Sequence, residues 1–404
     1  MKILQLCKKF PYPLKDGESI AVTTLSQALH GLGCDVSLLA MNTHKHFFSE
    51  EDNPEALSYY QNVVKVPVDN RVKPAAAFLN LFSRESYHIT RFISPAFRRQ
   101  LIEVLKNNTF DLIQLETLYL APYIPTIRQY SDAIIAMRAH NVEYEIWQRI
   151  TENTTVFPKR WYLKHLTRKL HRYEAERLKQ YDILVAITQR DLDHFRKLGY
   201  SKAATVAPIG ISSQSYTPDY RSYRKPLTLS FIGSLDWMPN QEGLNWFMSQ
   251  VWEPLRKKYP GLEFHIAGRN TPGSWVHKLA GKNVVVHGEV PDAAEFINGH
   301  SLMVVPLLSG GGMRAKILEG MALGRVVLTT SIGLEGIAAR PGKEVLTADS
   351  ADQFLAQIEL CLEQGSQMET IGRCAREFVV ERYDSLAIAR RLLDSYLTLT
   401  AEVA

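Results

Sequence analysis

Short apolar, β-branched runs alternate with amphipathic stretches along most of the chain. KILQLC reads as a strand, SIAVTTLSQALHGL as a helix closing at glycine and CDVSLLA as the next strand, a βαβ unit with Gly31 and Gly33 in its helix-to-strand turn. NVVKVPV, FDLIQLE, AIIAMRA and DILVAIT continue the series. Short runs of this kind, spaced by helical or irregular segments, belong to a parallel sheet covered on both faces.

The pattern breaks near residue 208. APIGISSQSYTPDYRSYRKP has no apolar period and reads as a linker. A second alternating series follows: LTLSFIGS, a helix around EGLNWFMSQVWEPLRKKY, LEFHIAG, VVVHGEV, LMVVPLL, a helix KILEGMAL, and RVVLTT, with a helical tail from about residue 367. The expected architecture is α/β, with two doubly wound, Rossmann-like domains facing across a cleft. Residues 1–207 form the first, 208–227 the linker, 228–385 the second, and 386–404 a helix crossing back to the first. Ligands of open α/β sheets bind at strand C-terminal edges, so two such domains imply a reaction joining two substrates.

Composition narrows the class. With 46% hydrophobic and 22% charged residues the chain reads as globular, with neither a membrane-spanning run nor a signal peptide, so a cytoplasmic location is expected. Four scattered cysteines suggest neither disulfides nor a thiolate metal site, and His44 and His46 read as solvated, so no metal is assigned. Residues 1–207 carry 28 Lys and Arg against 21 Asp and Glu, net +7, leaving 19 against 21, net −2, for the remainder. The basic half points to an anionic partner. There is no GxGxxG after the first strand and no P-loop.

The most informative stretch is PLLSGGGMRAKILEGMALGRVVL, residues 306–328. Its glycines fall between a buried strand and a helix, where free backbone N–H groups, the helix dipole and the lack of Cβ atoms favour a bound anion, most readily phosphate. Arg314 and Lys316 put cations in the first turn, a position that calls for a compensating anion. Glu319 lies among apolar neighbours; it suits a pair of sugar hydroxyls, or pairs with Arg314 or Lys316 one turn away.

The order VVPLLSGGGMRAKILEGMALGRVVLTT, together with FIGSLDWMPNQEGLNWF, LEFHIAGR, VVVHGEV, VAITQRDLDHFRKLG and VAPIGI, resembles the retaining, nucleotide-sugar-dependent glycosyltransferases of the GT-B fold, family 4 (group 1), over nearly the whole chain. The resemblance implies an N-terminal acceptor domain and a C-terminal donor domain. Glu319 would hold the nucleotide ribose, with Gly233 and Arg269 also at the donor. Gly311, Gly312 and Met313 would cradle the diphosphate, and Gly17, Arg138 and Asn141 would lie near the acceptor, with Glu143 beside them. His140 would position the transferred sugar, with Lys316 and Arg314 neutralising the leaving phosphate; a core or capping histidine is the plainer alternative for His140. Three departures stand out: Gly311 replaces the first of the usual two glutamates, Ser234 and Asn240 replace an arginine and a lysine, and Asp16-Gly17 replaces a double glycine.

The resemblance implies no resident cofactor and no metal requirement. A nucleotide-sugar is the co-substrate, and a glycan or lipid-linked acceptor in envelope polysaccharide or glycoconjugate synthesis the second partner. The helical stretch PKRWYLKHLTRKLHRYEAERLKQ aligns Leu163, Leu166, Leu170 and Tyr173 opposite many basic residues. It either lies on anionic lipid or packs that stripe onto its own domain, and RVKPAAAFLNLFSR adds to the first reading, that of a peripheral membrane protein. A non-catalytic sugar-nucleotide binder and an epimerase are the competing readings, and no motif supports nucleic acid as a partner.

Overall fold

The computed structural model describes residues 1–14, 17–44, 47–48, 57–152, 154–269, 271, 283–309 and 313–403. The chain divides into two compact units, Met1–Gly210 with Ile388–Ala404, and Ile211–Ala387. The first is built on a sheet of β1 (Lys2–Cys7), β2 (Asp35–Thr43), β3 (Asn62–Val68), β4 (Leu112–Leu115), β5 (Ile134–Ala139), β6 (Ile183–Ala186) and β7 (Ala203–Val206), in the order β3-β2-β1-β4-β5-β6-β7. Every pairing in it is parallel. Along β1, Leu4 and Leu6 enter one core while Ile3 and Cys7 enter the other. Such strands are buried on both faces and therefore read as continuous apolar runs.

The second unit repeats the plan with β8 (Thr228–Ile232), β9 (Glu263–Ala267), β10 (Val284–Gly288), β11 (Leu302–Val305), β12 (Val326–Thr329) and β13 (Leu346–Thr347), in the parallel order β10-β9-β8-β11-β12-β13. The expected pair of doubly wound sheets is present. Strand order reverses between β1 and β4 in one sheet and between β8 and β11 in the other. At such a reversal the crossovers diverge and leave a crevice beyond the strand C-termini, so these two edges are where side chains for chemistry should gather. The Ala315–Ala322 helix sits close against the second sheet because Gly320 lacks a side chain; a Cβ there would lie 2.7 Å from Met303 Sδ and 3.1 Å from Val327 Cγ2.

The C-terminal helix, Ser385–Val403, belongs mostly to the first unit. Ile388, Ala389, Leu392 and Tyr396 enter its core, and the Tyr396 hydroxyl donates to Gln114 Oε1 at 2.7 Å. The helix Phe157–Arg177 turns Leu163, Leu166, Leu170 and Tyr173 inward, so the apolar stripe is spent on its own domain and is not offered to lipid. Among the described residues no helix is long and apolar enough to cross a membrane.

The segment expected to be a linker is corrected by the structure from Ile211 onward, since it forms a strap of the second unit. Ile211 pairs with Asp384, and the backbone carries two short 3-10 turns, Ser213–Ser215 and Tyr220–Arg224. The Tyr223 hydroxyl accepts from Val326 N (2.9 Å) and donates to Gly324 O (2.8 Å), while buried Arg325 donates to Asp219 O (2.7 Å) and to the Ser222 hydroxyl. Polar side chains, not an apolar period, tie this strap down.

The faces of the C-terminal helix are separable by mutation. Leu392→Ala should cost about 2–4 kcal/mol and Tyr396→Phe about 1 kcal/mol. Leu397→Ala, at a side chain 48% exposed, should stay within about 0.5 kcal/mol. Urea unfolding checks this, and equal costs at Leu392 and Leu397 would contradict the packing.

Candidate active site

At the first reversal, Glu116 follows directly on β4 and is fully buried. One carboxylate oxygen accepts from Gln5 Nε2 at 2.5 Å and from Gln114 Nε2, and the other from Arg138 Nη1 at 3.2 Å and His140 Nε2 at 2.8 Å. Burial pushes this carboxyl up, but Arg138, His140 and Gln114 outweigh it and hold the group at about 2. It is therefore ionised, which obliges Nε2 of His140 to carry the proton and donate it. His140 sits at the end of β5 with its ring orientation set by that bond.

Arg138, expected at the acceptor, is 1% exposed, and its Nη1 donates to Glu116 and to Ala21 O, both at 3.2 Å. It holds Glu116, and through Glu116 the His140 ring, from within the core. Asn141, half-buried, joins His140, Glu143 and Glu174 around a cavity of about 10 Å³, room for one water. Glu143 accepts from Tyr119 Oη at 2.9 Å, and burial raises its pKa. Glu174 accepts from the backbone N–H groups of Glu143 and Tyr144, both at 3.1 Å, at the start of the Glu143–Glu152 helix. Burial, reinforced by Glu143, pushes Glu174 up to about 8. Gly17 opens the Gly17–Gly31 helix with open space beside its Cα.

At the second reversal, Lys316 lies in the helix after β11 and reaches back beneath β8. Its ammonium donates to Asn240 Oδ1 at 2.7 Å and lies 3.4 Å from Ile232 O and 4.7 Å from the centre of the Phe231 ring. Asn240 in turn donates to Ser234 O at 2.8 Å. Among the described residues its hydrogen-bonding partners are neutral, and burial first, then Arg314, depresses the lysine to about 7. Gly233 lets this happen: a Cβ there would stand 2.9 Å from Asn240 Nδ2 and 3.0 Å from Lys316 Nζ. Glu319, one turn on, accepts from Tyr216 Oη at 3.2 Å, and burial raises its pKa. Among the described residues Glu319 forms no ion pair, so the simple Lys316–Glu319 pairing is not the arrangement adopted.

Arg314 caps the same helix, is buried, and places its guanidinium 5.8 Å from the Trp237 ring centre. Met313 is buried beside it. Arg269 is exposed just beyond β9. Gly311 and Gly312, like Asp16 and His46, lie outside the described residues. The structure thus gathers Gly233, Lys316 and Asn240 at one edge, with Glu319 a turn away, and His140 with Arg138 at the other. Sequence reasoning passed over Glu116 and Tyr216. The first was signalled by an ionisable residue closing an apolar strand, FDLIQLE; the second lay in the presumed linker.

Residues 16–215 match the model for Glycosyltransferase Family 4, and residues 226–364 that for Glycosyl transferases group 1. An uncharacterised 44.6 kDa protein in the cps region of Klebsiella pneumoniae is 21% identical over 402 residues, spanning 95% of this chain and 97% of that one. Sucrose-phosphate synthase from Thermosynechococcus elongatus has a similar structure, with TM-score 0.73 at 16% identity over 100% of both chains. Anabaena HepE in complex with UDP gives 0.70 at 13%, over 98% of this chain and 100% of its own.

Glu116 sets a test of the first site. A carboxyl lowered from 4.5 to about 2 contributes stability above pH 4.5 that is lost as pH falls through 2. Glu116→Gln should flatten that part of the acid-unfolding profile and, by stranding Arg138, lower stability at neutral pH by about 3–5 kcal/mol. A variant as stable as the parent at pH 7 would argue against the network.

Proposed function

The chain belongs to the group 1 glycosyltransferases of the GT-B fold, and from that premise we propose that it moves a sugar from a nucleoside-diphosphate donor to a glycan or lipid-linked acceptor with retention at the anomeric carbon. The observation that carries the donor assignment is Lys316, a half-buried cation at the strand reversal that among the described residues hydrogen-bonds to neutral groups, with the half-buried carboxylate of Glu319 one turn further. A desolvated ammonium is costly until an anion arrives. The spacing suits a nucleotide read in sequence: diphosphate at the turn and Lys316, with Arg314 beside it, and ribose hydroxyls on Glu319, an acceptor-only group once ionised. The proposal assigns the N–H groups of Gly311, Gly312 and Met313 to the diphosphate, and Arg269 to the donor's outer side.

Breaking the sugar–phosphate bond builds negative charge on the leaving diphosphate and positive character on the sugar. Preorganised cations at the phosphate then supply the largest catalytic contribution, and the phosphate oxygen can help deprotonate an acceptor on the same face. No metal or further cofactor is invoked. His140, its Nε2–H committed to Glu116, presents the other edge of its ring and positions the sugar. Asn141 and the Gly17 turn are assigned to the acceptor. HepE was solved with UDP, and the Klebsiella relative lies in a cps region, which supports a nucleotide-sugar donor and a role in polysaccharide synthesis here.

A thermal-shift screen against UDP-, GDP-, ADP- and dTDP-sugars should give a clear rise with at least one of them, a ligand at 100 times its Kd adding about 2.7 kcal/mol. A flat response to all would sink the donor site, while binding without transfer to any acceptor would favour a sugar-nucleotide sensor. The anomeric configuration of the product, read by NMR, checks retention.

Lys316→Met should abolish that ligand-induced shift and yet stabilise the empty protein. With the lysine lowered from 10.5 to about 7, the unfolded chain holds a proton that the folded one lacks between those values, so stability rises with pH across that window and the burial cost is fully present below 7. The variant should melt higher than the parent below pH 7, with the gain fading above it. A variant that keeps the donor shift would remove Lys316 from the site.

A further inference from the structure

We infer that the open groove between the Glu143–Glu152 and Phe157–Arg177 helices of the first unit receives anionic lipid headgroups, docking that unit on a bilayer of negative surface charge. The groove encloses about 970 Å³ and is lined by Phe157 and Trp161 together with Arg160, Lys164, Arg168 and Arg172. This is the face of the long helix opposite its buried leucines. Phe157 is 79% and Trp161 59% exposed. The four cations are also exposed, and among the described residues none of them forms an ion pair. The groove's acidic residue, Glu152, already accepts from Gln148 Nε2 at 3.0 Å.

A second apolar edge lies alongside. The short helix Pro74–Leu79 and the turn after it expose Phe78, Leu79 and Phe82, the last at 80%. This edge is held against the long helix by the Tyr162 hydroxyl on Ala77 O (3.4 Å) and the Lys169 ammonium on Asn80 O (2.5 Å) and Leu81 O (3.3 Å). The groove and this edge flank the long helix, and clustered large exposed side chains mark an interaction surface. Their chemistry selects the occupant. Aromatic and leucine side chains suit the headgroup–acyl boundary, and unpaired Arg and Lys suit the phosphates above it, drawn by the surface potential of anionic lipid. Nucleic acid would use the cations but leave Leu79 and Phe82 without a partner, and an acidic protein would need no groove. The surface involves neither Lys316 nor Glu319, so it stands or falls independently of the donor assignment.

Co-sedimentation of the full chain with lipid vesicles tests the inference. The protein should bind vesicles of phosphatidylcholine mixed with phosphatidylglycerol and not those of phosphatidylcholine alone. Arg160→Glu with Lys164→Glu, and separately Phe157→Ser with Trp161→Ser, should each weaken binding at least roughly tenfold. These side chains are solvent-exposed, so both variants should keep the parent melting temperature. Failure to bind either vesicle, equal binding to both, or parent-like binding by both variants overturns the inference. So does a concentration-dependent dimer that the aromatic variant dissolves without any vesicle binding, which would assign the face to a second copy.

Discussion

An ionised carboxylate shut away from water in the middle of a parallel sheet cannot stand alone, and the first unit is organised around meeting that demand at Glu116. Four strand-borne or strand-end residues converge on it: Gln5 from β1, Gln114 from β4, and Arg138 and His140 from β5 and its end. Reversal of strand order makes this possible, because only there do the C-terminal ends of β1 and β4 lie side by side with helices leaving in opposite senses. The arrangement extends to the far end of the chain. Gln114 gives its amide to Glu116 and takes the Tyr396 hydroxyl on its own oxygen, so two hydrogen bonds link the C-terminal helix to the carboxylate that orients His140. Buried polar networks of this kind are costly when incomplete, which explains why a helix from outside the sheet is recruited to finish one.

The second unit solves the opposite problem by leaving it unsolved. Lys316 is half-buried where Glu116 is fully buried, and among the described residues its hydrogen-bond partners are an amide and a carbonyl. Glu319, half-buried as well, is met by the Tyr216 hydroxyl and not by the lysine three residues before it. A sequence optimised for stability would pair the two. Kept apart, they leave an ammonium donor and a carboxylate acceptor at one strand edge, the arrangement that the proposed donor site uses.

The alternation of apolar runs made both sheets legible, because strands buried on both faces leave a strong, local pattern. The glycine turn with its cations and glutamate was legible too, since Arg314, Lys316 and Glu319 share one helix and helical spacing relates them directly. What could not be read were relations across the sheet. Glu116 and His140 lie 24 positions apart, Lys316 and Asn240 76 apart, and nothing local announces either meeting. The strap after Ile211 was misjudged for a different reason: it is anchored by tyrosine and serine hydroxyls and by a buried arginine, and composition alone makes such a segment look like a linker. The leucine stripe of the Phe157–Arg177 helix was ambiguous because amphipathicity says that a face is buried, not what buries it.

That distance across the sheet also changes how the altered motif is understood. Read along the chain, Ser234 and Asn240 are losses, polar residues where the resembling family keeps an arginine and a lysine. In space, Asn240 hands its side-chain oxygen to Lys316 and its amide to Ser234 O, so the cation delivered by the helix after β11 occupies the edge that the helix after β8 would have supplied. Both helices start at the same reversal, one on each side of it, and a ligand seated there meets either. Gly233 leaves room for the exchange, since a Cβ there would stand 2.9 Å from Asn240 Nδ2 and 3.0 Å from Lys316 Nζ. Charge at this edge is therefore a property of the crevice and not of one helix, and it can move between elements while its place at the strand reversal is kept.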